Sequence, residues 1–152
     1  MKLFSLLFIF ITSISFAIAQ ENVSSTADVT YLGSTEKGTT FVSSCGYGKV
    51  LDKKAYLAAV KNAFETLMFR GIPGSEVTVA LIDNETTAKT NFKKYFDDFF
   101  EGGRYKSFIT SIHETKPTKE FKKKKACLEI KINHIALRKD LEQNNVIRKF
   151  GY

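Results

Sequence analysis

Tryptophan is absent from this 152-residue chain, and proline, cysteine, histidine and methionine occur only twice each. Two cysteines and two histidines are too few for a disulfide-dense scaffold, a four-cysteine zinc site or a metal cluster built mainly on those ligands. No metal or other cofactor is therefore expected. With two prolines and nine glycines the chain is neither collagenous nor of low complexity. What is present is apolar and aromatic surface: 43% hydrophobic residues, including 14 Phe and 6 Tyr. That is enough to offset the entropy of ordering, so the chain folds, and its length corresponds to one domain.

Acid is the scarcer charge, with 16 Asp and Glu against 23 Lys and Arg, a formal net of +7. The N-terminus reads as an export signal. Met1-Lys2 places one cation ahead of the largely apolar run Leu3 to Ile11, and Ala17-Ile18-Ala19 supplies the small residues of a cleavage site before Gln20. An uncleaved anchor is the competing reading, but the run falls short of the ~20 residues that span hydrocarbon and is interrupted by Ser and Thr. No cysteine stands near position 20, so a lipoprotein is not expected. The expected product is a soluble periplasmic or extracellular protein of 133 residues and charge +6. Its charge is uneven: residues 20–101 hold 9 basic and 11 acidic side chains, and residues 102–152 hold 13 and 5.

Residues 20–38 are rich in Ser, Thr, Asn and Gly and read as a flexible lead-in, part of which can add an edge strand through Val29, Tyr31 and Leu32. Residues 39–47 read as a strand punctuated by Gly46, Gly48 and Asp52, the last a good helix N-cap. Over 53–70, Tyr56, Leu57, Val60, Ala63, Phe64, Leu67 and Met68 recur at helical spacing, and Gly71 with Pro73 ends the helix. Residues 76–82 fit either a strand or an extended loop. A second helix follows from Phe92, Tyr95, Phe96, Phe99 and Phe100, stopped by Gly102-Gly103. Residues 104–114 and 126–133 read as two strands joined by a hairpin loop from Pro117 to Lys125. Asn133 is placed to cap a last helix over 134–143, ended by Asn144-Asn145. The expected architecture is a single α+β domain over 39–152. Its antiparallel sheet has three to four strands, with two long helices and a short C-terminal helix on one face.

The candidate chemistry is sparse. Export permits a Cys45–Cys127 bridge, which would close a loop with 81 intervening residues and stabilise by about 4 kcal/mol in the chain-entropy account. Strand parity points the other way. Cys127 alternates with Glu129 and Lys131 and Cys45 with Phe41 and Tyr47, which suggests one thiol facing solvent and one facing the core, so bridged and separate thiols both stay open. A nucleophilic Cys45 would need His113 or His134 as its base, and nothing local pairs them. Ser43-Ser44-Cys45-Gly46 and Gly74-Ser75-Glu76 lack the glycines of a nucleophile elbow, and Gly46-Tyr47-Gly48 lacks the third glycine of a dinucleotide site; both read as turns. Asp97-Asp98 with Glu101 diverge by about 100° per residue on a helix and read as a solvated face.

The densest charge is Lys122-Lys123-Lys124-Lys125, with Lys116 and Lys119 upstream. Such a cluster can hold anions by charge alone, or can simply solvate a loop that guards a strand. Export and the lack of interleaved aromatics disfavour nucleic acid, leaving lipopolysaccharide, another anionic glycan, anionic lipid headgroups or an acidic partner. Arg148 and Lys149 lie in a tail ending Phe150-Gly151-Tyr152. An aromatic end suits an outer-membrane barrel, but two helical patterns cannot be recast as barrel strands, so the tail is expected to pack on the domain or meet a partner.

The segments Lys61 to Phe64 and Phe69 to Ser75, Tyr95 to Ile109, and Ala136 to Gly151 together resemble a family of small exported proteins of Bacteroidetes, over most of the chain from about Thr39. That resemblance implies export and a shared fold and transfers no catalytic residue. The strand followed by the helix Lys54-Ala55 to Ala63-Phe64 is more distantly similar to the N-terminal domain of flagellar assembly protein T and to related small surface lipoproteins. It implies an accessory role in an envelope assembly, although this chain lacks a lipobox cysteine and has a Phe-rich second helix. The leading expectation is a non-enzymatic exported module that binds another envelope protein. Anionic glycan or lipid binding is the alternative, and a hydrolase comes third.

Overall fold

A computed structural model describes residues 29–34, 36–48, 53–115, 118–120 and 123–149. The signal segment, residues 20–28, Asp52, Lys116, Pro117, Lys122 and Phe150 to Tyr152 lie outside the described residues. The elements run β1 (Val29–Gly33), β2 (Thr39–Gly48), α1 (Lys53–Phe69), α2 (Glu85–Asn91), α3 (Lys93–Phe100), a 3-10 helix (Arg104–Phe108), β3 (Ile109–Glu114), β4 (Thr118–Glu120), β5 (Lys123–Asn133) and α4 (His134–Gln143). All strand pairs are antiparallel, in the order β1-β2-β5-β3, and β4 pairs with the first residues of β5. This is the α+β domain expected, with the helices built around one aromatic core.

Alternation along the two central strands decides which face is buried. Thr40, Val42 and Ser44 of β2 and Leu128, Ile130 and Ile132 of β5 are fully or almost fully buried, and α1 lies over them with Ala55, Ala59, Val60, Ala63, Phe64, Leu67 and Met68 inward. Gly46 belongs to β2 and is not a turn. A Cβ there would come within 2.3 Å of the Ala55 carbonyl oxygen and 2.4 Å of the Ala59 nitrogen, so helix and strand backbones touch at this point. Small residues on α1 opposite a glycine on β2 permit that approach. Gly71, at φ +75°, ends α1 in the left-handed conformation read from the sequence.

The phenylalanines complete the core. Phe99 of α3 stacks on Phe108 at 5.7 Å between centroids and meets Phe64 of α1 edge-on at 5.3 Å. Such pairs add to the area they bury. Tyr95 donates to Asp140 at 2.7 Å, Arg104 clamps the same carboxylate at 2.6 and 2.8 Å, and the Arg104 guanidinium lies 5.2 Å from the Tyr95 ring centre. One carboxylate thus ties α3, the 3-10 helix and α4 together.

Several local expectations are corrected. Residues 104–108 form a 3-10 helix, not the start of a strand, because Tyr105 and Phe108 turn into the aromatic core. Residues 76–82, open between strand and extended loop on sequence, take the second alternative and have no strand pairing. The segment before the aromatic helix is itself helical: Asn84 accepts from the Thr87 N–H at 2.8 Å and starts α2, whose Lys89 reaches the buried Glu65 of α1 at 2.6 Å. The second helix is therefore a pair of short ones, not a long one. Lys119 and Lys123 to Lys125 belong to the β4–β5 hairpin rather than to an unstructured loop, with Lys119 opposite Lys124 in the ladder. The edge strand expected through Val29, Tyr31 and Leu32 does form: Val29–Gly33 pair with β2 at one end of the sheet.

Candidate functional site

Cys45 and Cys127 occupy directly opposed positions of the central ladder, with Cα atoms 4.0 Å apart and sulfurs joined at 2.06 Å. The parity reading placed Cys45 with the core because of its aromatic neighbours. Phe41, Ser43 and Tyr47 instead share the face turned away from α1, and Cys127, Glu129 and Lys131 share that same face. Both half-cystines are partly buried there. A bridged Cys45 has no thiolate to offer, and among the described residues no free cysteine and no group of three metal-ligating side chains occurs.

The other expected binding residues are spread over two ends of the fold. Lys119, Lys123, Lys124 and Lys125 gather on the hairpin that opens β5, and Lys125 lies 5.5 Å from the centre of the Tyr47 ring. Arg148 and Lys149 are exposed beyond α4, after Val146 has packed into the core.

His134 carries a relay that sequence reading missed. Its Nδ1 lies 2.9 Å from the Thr40 hydroxyl, and its Nε2 lies 3.2 Å from Glu76, which also accepts from the Gly38 N–H at 3.4 Å. A neutral ring protonated at Nε2 satisfies both partners. Burial pushes the imidazole below its ordinary value, and this outweighs the opposing effect of Glu76. The sequence of hydroxyl, imidazole and carboxylate has the order of a hydrolytic triad. However, Thr40 is 0% exposed, so no substrate can reach the hydroxyl. The relay fastens the 72–84 loop and the start of α4 to the sheet. Ninety-four residues separate Thr40 from His134, a distance over which no spacing rule could have revealed it.

Two concave regions of the described surface bear on binding. The first is a groove between the 76–84 loop and α4. A hollow of about 530 Å³ there is lined by Val77, Val79, His134 and Ile135. It shares Ala80, Leu81 and Arg138 with an adjoining hollow of about 630 Å³ that reaches Phe92, Ile147 and Arg148. Val79 is 74% and Ile135 55% exposed, which is unusual for apolar side chains set beside one another at a cavity mouth. The second is a cavity of about 570 Å³ between the first turns of α1, the 3-10 helix and β5, lined by Tyr56, Leu57, Tyr105 and Leu128 with Lys53, Lys106 and Glu114 at its rim. Desolvation, with lesser contributions from Tyr105 and Glu114, raises the Tyr56 hydroxyl above its usual value, so it remains a neutral donor. Among the described residues no helix is long and apolar enough to cross a membrane. No protein-family model matches this chain, and no curated protein or solved structure is significantly similar to it.

Proposed function

We propose that the protein is an exported, non-enzymatic accessory module that binds another cell-envelope protein through the groove between the 76–84 loop and α4. The observation that carries this reading is the pair of exposed apolar side chains, Val79 and Ile135, at the mouth of a hollow continuous with the Arg138 and Arg148 side. Burying two aliphatic side chains of this kind contributes roughly 1.5–3 kcal/mol each. Arg148, which lines the adjoining hollow, gives the groove a preference for carboxylates. The occupant is a segment of a partner protein that presents apolar side chains followed by an acidic one. The apolar N-terminal segment and the resemblance to small exported proteins support the envelope as the place of meeting.

A photo-crosslinking residue at Val79 tests the reading in native cells. The expected result is a discrete heteromeric adduct that is lost in Ile135→Asp while the fold, followed by circular dichroism, is unchanged. A homodimeric adduct, an adduct to another segment of the same chain, or recovery only as uncrosslinked monomer would overturn it.

A further inference from the structure

The cavity at the other end of the molecule points to a ligand rather than a protein. Its floor is apolar and aromatic: Leu128 is 1% and Tyr105 4% exposed, Tyr56 is half-buried, and Leu57 stands 45% exposed at the opening. Its volume of about 570 Å³ falls within the ~300–1,000 Å³ of small-molecule sites. Two lysines, Lys53 and Lys106, line the cavity beside the Glu114 carboxylate. An apolar pocket under a cationic rim is complementary to one kind of molecule, a body of hydrocarbon with an anionic head.

We propose that this cavity binds a single-tailed anionic amphiphile, its chain against Leu57, Tyr56, Tyr105 and Leu128 and its carboxylate or phosphate head at Lys53 and Lys106. The head exchanges hydration for two charge-assisted contacts, and the neutral Tyr56 hydroxyl supplies a further donor. Free fatty acids, and the headgroup with one of the two chains of an anionic membrane lipid, share this chemistry.

The test is a methyl-NMR and calorimetric titration of the folded protein with dodecanoate below its micellar concentration, beside dodecyltrimethylammonium as the cationic counterpart with the same tail. Saturable binding of dodecanoate is expected, with shifts at Leu57 and Leu128. Dodecyltrimethylammonium should bind about tenfold or more weaker, and K53Q/K106Q should weaken dodecanoate by a similar factor. Both lysines are exposed, so that variant retains the fold. Leu57→Glu, also at an exposed position, should abolish binding. Co-flotation with phosphatidylglycerol vesicles that is lost in Leu57→Glu would assign the ligand to the membrane, and dodecanoate binding without co-flotation would assign it to free amphiphile. Equal affinity for both detergents, an absence of shifts at Leu57 and Leu128, or shifts confined to Lys123–Lys125 would overturn the proposal.

Discussion

The Cys45–Cys127 bridge joins positions 82 residues apart in the chain but directly opposed in the middle of the sheet, which makes the effect of cutting it calculable. In the folded state little should change. The register of β2 on β5 is also fixed by Val42 and Ser44 on one strand and Leu128 and Ile130 on the other, all buried beneath α1, and a slip of one residue would turn them out to solvent. The cost falls on the unfolded state. Releasing a loop of this length returns about 4.5 kcal/mol of chain entropy at 25 °C, against a total stability of roughly 5–15 kcal/mol for a domain of this kind. The reduced protein should therefore still fold but sit near the lower edge of that range. Guanidinium unfolding with and without reductant should show a lower midpoint together with a steeper slope, because the unlinked chain expands further on unfolding. C45A/C127A should reproduce the reduced curve. Two alkylatable thiols in unreduced protein, or a loss below about 1 kcal/mol on reduction, would refute the reasoning.

Gly46→Ala inserts a Cβ into the backbone of α1 at Ala55 and Ala59, neither of which can yield as a flexible side chain would. A loss of about 1–3 kcal/mol or more is expected in urea unfolding, whereas Gly33→Ala, where no atom lies within 4 Å, should bear only the cost of its positive φ. The pH dependence follows from His134. Because burial lowers its folded value more than Glu76 raises it, the unfolded chain takes up that proton first. Its contribution to stability is complete above about pH 6.5 and declines as pH falls from there toward the lowered folded value. Thermal melts across that window should slope downward in the wild type, and His134→Gln should be flatter.

The reach of the sequence depended on how local each signal was. The stripes Tyr56 to Met68 and Tyr95 to Phe100 repeat within one or two turns, and Asn133 caps α4 by accepting from the Ala136 N–H at 2.9 Å as its position suggested. The misreadings were all tertiary. Phe108 shares strand parity with Thr110 and Ile112, which extends the strand reading backwards, yet Phe64 and Phe99 draw Tyr105 and Phe108, three residues apart, into a 3-10 turn. α2 has only Ala88 buried, too little for a hydrophobic stripe to announce it, and it is held instead by Lys89 on Glu65 and Glu85. The bridge was obscured because aromatic neighbours were taken to mark the core face, whereas α1 approaches β2 over Gly46, Ser44 and Thr40, the small and polar residues of the alternation. The groove and the cavity were invisible for a related reason, since each is assembled from segments brought together only by the sheet.

The basic excess of the C-terminal third also resolves into separate parts. Arg104 is taken up by Asp140, Lys131 reaches Glu36 at 3.6 Å, and Arg138 meets Glu142 at 3.2 Å. Of these, the Arg104 pair has one guanidinium nitrogen within reach of both Asp140 oxygens, a further hydrogen bond from Tyr95 to the same carboxylate and an aromatic ring beside it, whereas single contacts near solvent are worth at most about 1 kcal/mol. Lys106, at the rim of the cavity, and Arg148, beside the groove, take no part in that clamp. A net charge that looked like a bulk property thus combines one structural clamp, a cationic approach to an apolar pocket and an arginine border on an apolar groove. Arg104→Gln should lower the midpoint of urea unfolding by a loss of about 1–3 kcal/mol, while neutralising Lys106 or Arg148 should leave that midpoint unchanged and alter only what the protein holds.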